Sequence, residues 1–371
     1  MKYLFLFFIS LKIFADCSSQ NLITEPNSPF NNIPVYNQED SRICYAYTAA
    51  QMMDYHLIKN GAKDRSIHPL WAALTINKRI DQPSLPTGST ALTINSMRHA
   101  SNCDYAQVVE AVKEWTKISG MSENELISFL DLFYENIQKA KKKKSFFKRN
   151  KLTEEELDQI YADSVGTQML NSCIQLEEWV SLYAQIKLLA SLTPTEIFSS
   201  ILEKKCLNGE KLKNKTPKAV DIFKKRNKSL ADEINSYLTQ THEPIGINYC
   251  TNFWQTPNYQ GYLNNKLSKD CLMHASIIVG QKEVNQQCQY LIRDTAGSEW
   301  NDNNSQWKCL CKNKVTSEFV DDCTHETHSN LLYRVEACWV PEKIINNNTH
   351  SLTKFKTSSP VPENTEQDRF Q

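Results

Sequence analysis

The sequence has no excess of charge of either sign: Lys plus Arg and Asp plus Glu number 42 each. That balance removes any chain-wide electrostatic argument for nucleic acid or for an anionic membrane as partner. It also lacks an internal repeat, and it lacks an apolar run long enough to span a bilayer. Glycine is rare between Tyr105 and Leu238. What remains is a long chain, 371 residues with 40% hydrophobic and 23% charged side chains. That is the composition of a folded globular protein with one large or two ordinary domains.

The first residues, MKYLFLFFISLKIFA, place Lys2 before an apolar run from Tyr3 to Leu11 and end in the small Ala15. A run this short with these flanks has the layout of a secretory signal peptide, residues 1–15, cleaved after Ala15. Removal of Lys2 and Lys12 leaves 40 basic against 42 acidic residues, a net charge of −2. Asp16 is a poor fit to the small residue that lipid attachment at Cys17 prefers. The chain is therefore expected to be secreted or periplasmic, with no stable membrane association. All 12 cysteines follow the cleavage point, seven of them from Cys250 onward. In an exported chain they are expected to form disulfides. If Cys44 is kept free, eleven are left, and one must stay free or pair between chains.

Along the chain, the spacing Ala46, Ala49/Ala50, Met53, Leu57 is helical and puts Cys44 at a helix N-terminus. A second helical piece lies near His68–Lys78, a loop at Asp81–Gly88, and a further helix after Ser89. From Tyr105 to Leu238 amphipathic patterns recur: Val108–Thr116, Glu123–Ile137, Glu154–Tyr161, Leu176–Leu192 and Pro194–Leu202. Ser122 with Glu125, and Thr153 with Glu156, have capping-box spacing. The run Lys139–Lys151 reads as an exposed basic loop. After Pro244 the period becomes that of strands, at Ile245–Tyr249, Ala275–Val279, Tyr290–Arg293 and Leu332–Val340. From Asn346 the chain is polar without period and reads as a disordered tail. The expected organisation is 16–104, mostly helical and carrying Cys44; 105–238, a helical block; 239–345, β-rich; and 346–371, the tail.

A lone cysteine in such a chain is ordinarily half of a disulfide. Cys44 has a different setting. A thiol attacks only as thiolate, and a helix N-terminus favours negative charge. Gln38, six residues upstream, can fold its carboxamide beside the thiol as a donor to a developing oxyanion, with the Cys44 N–H as the second donor. Far downstream, Cys271–Leu–Met–His274–Ala–Ser–Ile–Ile–Val–Gly280 places a histidine at the entry to an apolar strand. Tyr290–Leu–Ile–Arg–Asp294–Thr–Ala–Gly297–Ser–Glu–Trp300 follows it.

These segments resemble the papain family of cysteine peptidases. Pro34–Val35–x–Asn37–Gln38, the step to Cys44 and the Tyr45–Ala46–Tyr47 that follows are similar to its nucleophile segment. His274 with its strand is similar to its histidine segment, and Asp294 stands where the family has an orienting Asn. Glu243–Pro244–Ile–Gly–Ile–Asn resembles the strand before the histidine. In such enzymes the histidine follows the cysteine by roughly 130–150 residues. Here the interval is 230, and the helical, glycine-poor block accommodates the excess. The resemblance implies an α+β, two-lobed papain-like fold with a large helical insertion. It implies a thiol peptidase in which His274 deprotonates Cys44, Asp294 orients His274 and Gln38 stabilises the oxyanion.

Several positions depart from the family. Asp294 replaces the Asn, Ala296 stands in place of a Trp that shields the His–orienter bond, and Ser41 and Arg42 replace a Cys and a Gly. Only Gly88–Ser89 stands for the paired glycines of the cleft, and Trp300 matches a second Trp. No metal or organic cofactor is implied: Cys309, Cys311, Cys323, His325 and His328 could mimic a zinc site, but disulfides suit an exported chain better. Partners are a polypeptide substrate and, if the enzyme is held latent, a proteinaceous inhibitor or the insertion itself. Two other functions stay open, a papain-like binding protein without turnover and a thiol amidase or acyltransferase acting on a non-protein amide. Asn214, Asn227, Asn303 and Asn347 lie in glycosylation sequons.

Overall fold

The computed structural model describes residues 17–39, 41–64, 67–146, 152–169, 192–206, 209, 211–225, 229–263, 266–295, 307–323 and 332–356. Residues 1–15, 147–151 and 176–191 lie outside the described residues, as do Ala296, Gly297, Trp300, Asn227, Asn303, His325 and His328.

The architecture is a mixed one, helices packed on an antiparallel sheet. The helices are α1 (Cys44–Lys59), α2 (Pro69–Arg79), α3 (Thr90–Met97), α4 (Tyr105–Ser119), α5 (Glu123–Phe146), α6 (Glu154–Met169), α7 (Pro194–Cys206), α8 (Ala231–Thr241) and α9 (Glu342–Asn348). The strands are β1 (Gln20–Asn21), β2 (Ala219–Phe223), β3 (Ile245–Cys250), β4 (Tyr262–Leu263), β5 (Lys266–Leu267), β6 (Met273–Val284), β7 (Gln287–Arg293), β8 (Lys308–Asn313), β9 (Phe319–Cys323), β10 (Tyr333–Pro341) and β11 (Thr349–Phe355). The main sheet runs β2-β11-β3-β6-β7-β10-β8-β9, with β1 added on β6 and β4-β5 a separate ribbon.

Helix α1 is the centre of the structure. Every residue from Tyr45 to Tyr55 is buried, polar Thr48, Gln51 and Asp54 included, so the helix is enclosed all round rather than along one stripe. It lies across β6 and β3, and α2 and α3 pack against it. Gly246 in β3 makes this approach possible. A Cβ there would sit 3.1 Å from Met52 Sδ and 3.3 Å from Thr48 Cγ2 of the helix.

The helices expected from amphipathic spacing form where their caps predict. Ser122 N–H donates to Glu125 Oε2 at 2.7 Å, and Glu125 N–H donates back to Ser122 Oγ at 3.2 Å. Thr153 and Glu156 repeat the pattern. Among the described residues five disulfides form: Cys17–Cys288, Cys103–Cys206, Cys250–Cys271, Cys309–Cys338 and Cys311–Cys323. Cys309, Cys311 and Cys323 are thus sulfur-bridged rather than arranged for zinc. Cys17 ties the N-terminal segment to β7. Among the described residues no helix is long and apolar enough to cross a membrane.

Three expectations need correction. The segment from Asn346 is not a structureless tail throughout: α9 reaches Asn348, and residues 349–355 form β11, an inner strand between β2 and β3. Its polar side chains hid it, because they are buried by pairing with neighbours. Asn248 Nδ2 donates to Ser351 Oγ at 3.0 Å, Thr353 Oγ1 bonds Asp221, and Leu352 and Phe355 fill the core. Second, the block 105–238 is not wholly helical, since Ala219–Phe223 supplies edge strand β2. Third, the basic run begins as helix rather than loop. α5 continues through Lys139–Lys143 to Phe146, because lysine is a good helix former and cations suit a helix C-terminus.

Leu352→Ala removes a fully buried side chain from β11. It is expected to cost about 2–5 kcal/mol, read as a lowered denaturant midpoint with an unchanged m-value. A midpoint shift as small as that of a surface substitution would show that β11 does not carry the sheet.

Candidate active site

Cys44 is the first residue of α1. The N-cap, Ile43, makes no side-chain cap bond, and the first turn contains no acidic residue. Among the described residues no side chain caps the positive end of the helix, where the cysteine stands. Cys44 is partly buried and is the one described cysteine outside a disulfide. Burial alone would raise its pKa. The hydrogen bond with His274, then the charge of that imidazole, then the N–H groups of Ala275 and Tyr45 bring it below the ordinary thiol value.

His274 is the second residue of β6 and lies opposite Tyr249 of β3. The β6–β7 register, Ile277 against Arg293, brings the end of β7 beside it. Asp294, just past that end, contacts His274 Nε2 through Oδ1 at 2.7 Å. His274 is only 8% exposed and Asp294 5%, so the contact is nearly dry. Burial would hold the imidazole neutral. The Asp294 charge and hydrogen bond, followed by the hydrogen bond with Cys44 and its charge, overcome this and push its pKa up to about 10. A carboxylate in the orienting position therefore favours the imidazolium more than a neutral amide could.

The second Asp294 oxygen is also occupied, by a residue that the sequence reading overlooked. Tyr249 O–H donates to Oδ2 at 3.1 Å, and its ring stands edge-on to His274 with centroids 5.7 Å apart. Trp254 Nε1–H donates to the Tyr249 hydroxyl at 3.2 Å. Trp307 Nε1–H in turn donates to the Trp254 carbonyl at 2.9 Å. This aromatic wall packs beside the Asp–His contact. Its only signal in the sequence was the pairing of β3 with β6, which spacing alone could not supply.

Gln38 meets the same site from the segment before α1. Its N–H donates to the Thr295 carbonyl at 2.8 Å, and its side-chain oxygen accepts from Thr295 Oγ1 at 2.9 Å. With the oxygen engaged, the amide N–H2 is the end left to donate. Thr295 Oγ1 also lies 3.5 Å from His274 Nε2. Thr295 therefore links Gln38 to the histidine, a second residue the sequence reading missed. Between Gln38 and Cys44 the chain turns through left-handed backbone at Glu39 (φ 46°) and Arg42 (φ 55°). Such conformations cost of order 1 kcal/mol or more and persist only when the surroundings impose them.

Here the surroundings do so. Asn124 of α5 donates to the Asn37 carbonyl at 2.8 Å and accepts from the Tyr47 hydroxyl at 2.7 Å. Ser122 donates to Glu39 at 3.0 Å. From below, fully buried Arg293 donates to the Ile33 carbonyl at 2.7 Å and lies over the Phe30 ring. On the other side, Tyr45 O–H donates to the Leu85 carbonyl at 2.6 Å and accepts from Asn77 at 2.9 Å. Ser84 Oγ donates to Asp131 of α5 at 2.9 Å. Gly88 closes against the Tyr45 ring. Cys44, His274, Asp294 and Gln38 are thus brought together, whereas Ala296 and Trp300 fall outside the described residues.

No family model matches this sequence, and no curated protein matches it. Among solved structures the chain is similar to xylellain, a cysteine protease from Xylella fastidiosa. The identity is 12%, the match covers 86% of this chain and 84% of that one, and the TM-score is 0.36. The overlap is too loose to transfer residues between the two chains, and the chemistry rests on the side chains just described.

Two substitutions probe this geometry. Asp294→Asn removes the charge that raises His274, so the imidazolium is lost at lower pH. The alkaline edge of Cys44 alkylation by anionic iodoacetate, which the imidazolium charge attracts, is expected to move down when rate is followed against pH; an edge that stays in place would contradict the electrostatic role of Asp294. Gly88→Ala sets a Cβ about 2.3 Å from the Tyr45 ring. Overpacking of that kind is expected to cost roughly 1–3 kcal/mol and to slow alkylation of the adjacent Cys44, whereas unchanged stability would show that the ring can move aside.

Proposed function

We propose that the protein is an exported cysteine peptidase of papain-like type, with Cys44 as nucleophile, His274 as acid–base, Asp294 as orienter and Gln38 as oxyanion donor. The observation that carries the reading is the buried relay from Cys44 through His274 to Asp294, built on the one described cysteine left out of a disulfide. A structural cysteine has no use for a lowered pKa and an imidazolium neighbour. A nucleophile depends on both. Five disulfides, together with the N-terminal Lys2–Ala15 pattern, support export.

The reaction follows from these positions. The Cys44 thiolate adds to the carbonyl carbon of a substrate amide, and the carbonyl oxygen takes up the negative charge. The Gln38 amide and the Cys44 N–H are the donors for that oxygen. Collapse expels the amine, to which His274 gives its proton, and leaves a thioester on Cys44. A water molecule that loses a proton to His274 then attacks the thioester, releasing the acid and restoring the thiolate–imidazolium pair. Asp294 holds the imidazole in one orientation through both halves. Its second oxygen is kept by Tyr249, so that it does not turn away.

Labelling with a thiol-directed epoxide under reducing conditions at mildly acidic pH, compared between wild type and Cys44→Ala, tests the reading. We expect stoichiometric labelling that the variant abolishes, together with cleavage of members of a peptide library. Absence of labelling would make the fold a binding module. Labelling without any peptide cleavage would move the substrate to a non-protein amide.

A further inference from the structure

Tyr249 is fully buried, and its hydroxyl stands at a junction of three hydrogen bonds. Trp254 Nε1 lies 3.2 Å from it, Ser276 Oγ 3.0 Å and Asp294 Oδ2 3.1 Å. A phenol offers one proton and two lone pairs. The indole N–H can only donate and a carboxylate can only accept, so the phenol proton goes to Asp294 and one lone pair takes Trp254. Ser276 of β6 is fully buried as well, and its proton takes the second lone pair. The Tyr249 hydroxyl is then saturated, with its direction of donation fixed by its neighbours. Burial, followed by the charge of Asp294, holds its pKa well above the ordinary value. The phenol therefore keeps its proton while His274 is an imidazolium.

A donor fixed in this way restricts what can stand at position 294. His274 Nε2 faces Asp294 Oδ1 at 2.7 Å, and the other ring nitrogen is turned to Cys44. An imidazolium donates from Nε2, so the atom opposite must be an acceptor. Tyr249 donates too, so the atom opposite the phenol must also be an acceptor. Of the two side chains of this shape, a carboxylate meets both demands and an amide meets one. With its oxygen toward His274, the amide would aim its N–H2 at the phenol proton and at lone pairs already taken by Trp254 and Ser276. With its oxygen toward Tyr249, the bonds of the hydroxyl survive, but the N–H2 faces Nε2 and needs a lone pair there. The imidazole is then neutral, with its proton on Nδ1 toward the sulfur, and cannot accept the thiol proton.

We propose that Tyr249 is a positioning residue that dictates a carboxylate at position 294, because its donated proton would turn an amide there the wrong way for His274. The inference rests on the reading of Cys44, His274 and Asp294 as nucleophile, base and orienter. It accounts for the acidic residue that stands here in place of the Asn of the resembled family. It also ties two positions that the sequence keeps 45 residues apart into one unit: the donor on β3 and the acceptor after β7 are matched to each other. Asp294→Asn alone breaks the match. Tyr249→Phe keeps the ring in the aromatic wall and removes the donor, so that an amide can present its oxygen to His274 at the cost of one unpaired N–H2 group.

The test is a double-mutant cycle on the full chain, read by the rate of Cys44 epoxide labelling and by the alkaline edge of iodoacetate alkylation. Tyr249→Phe alone is expected to slow labelling, because Asp294 loses a donor. In the Asp294→Asn background the same change is expected to speed labelling about tenfold or more and to move the alkaline edge back up. A tyrosine that only packed would make both backgrounds worse, so the reversal of sign carries the proposal. A second readout needs the single variant alone. With isotope-labelled histidine, the imidazole nitrogen shifts of neutral His274 are expected to report Nδ1–H in Asp294→Asn and Nε2–H in Asp294→Asn/Tyr249→Phe. The proposal is overturned if Tyr249→Phe slows labelling in both backgrounds, or if Asp294→Asn alone keeps the proton on Nε2. A wild-type chain that takes no label overturns the peptidase reading itself, whereas a chain that labels without the reversal overturns this inference alone.

Discussion

A helix buried on all sides has only its ends to offer to chemistry, and that constraint organises this protein. α1 is enclosed from Tyr45 to Tyr55, so the sheet, α2 and α3 must close around it. Its N-terminus is the point where the enclosure opens. Gly246 of β3, facing Thr48 and Met52 of α1, brings helix and sheet close enough for a side chain from the second residue of β6 to meet the first residue of α1. The positive end of a helix, a thiol and an imidazole thus meet where core packing requires helix and strand to touch.

The electrostatics then follow from dryness. Taking Asp294 and His274 out of water is costly for each, and a buried pair is worth having only if its remaining lone pairs and protons are satisfied. Here they are. One carboxylate oxygen takes the imidazole, the other takes Tyr249, and the far side of the imidazole meets Cys44. Replacement of a neutral orienter by a carboxylate makes the imidazolium harder to lose, which widens the pH range of the charged pair on its alkaline side. Trp254 and Trp307 stand behind Tyr249. The absence of a tryptophan at Ala296 therefore does not leave the pair open to solvent, since both partners remain almost fully covered.

The parts of this arrangement legible in the sequence were those encoded by short spacing. The helix starting at Cys44, the strand opening at His274, Asp294 following β7, and the two capping boxes are all local, and each is where its pattern put it. What stayed hidden depends on contacts between distant segments. Tyr249 becomes Asp294's partner only through the β3–β6 register, and Thr295 becomes Gln38's only once β7 lies against the segment before α1. β11 was misread for a related reason. A strand normally announces itself by alternating apolar residues, but Ser351 and Thr353 are buried by bonding Asn248 and Asp221, so the alternation is one of hydrogen-bonded partners and is invisible to a hydrophobicity pattern. The lysines of α5 failed in the opposite way, since charge suggested a loop while helix propensity and the helix dipole both favoured continuation.

The helical block between Tyr105 and Leu238 is more than extra length. Asn124 and Ser122, at the start of α5, hold Asn37 and Glu39, and Asp131, two turns later, holds the loop at Ser84 on the opposite side of Tyr45. One helix therefore braces both chain segments that flank Cys44, including the left-handed backbone at Glu39. Burial pushes the Asp131 carboxyl up to about 7, against the Ser84 and Leu85 hydrogen bonds that favour its ionised form. α5 thus holds the backbone on two sides of Cys44 through hydrogen bonds, and Ser41 beside it carries no thiol that a disulfide could use.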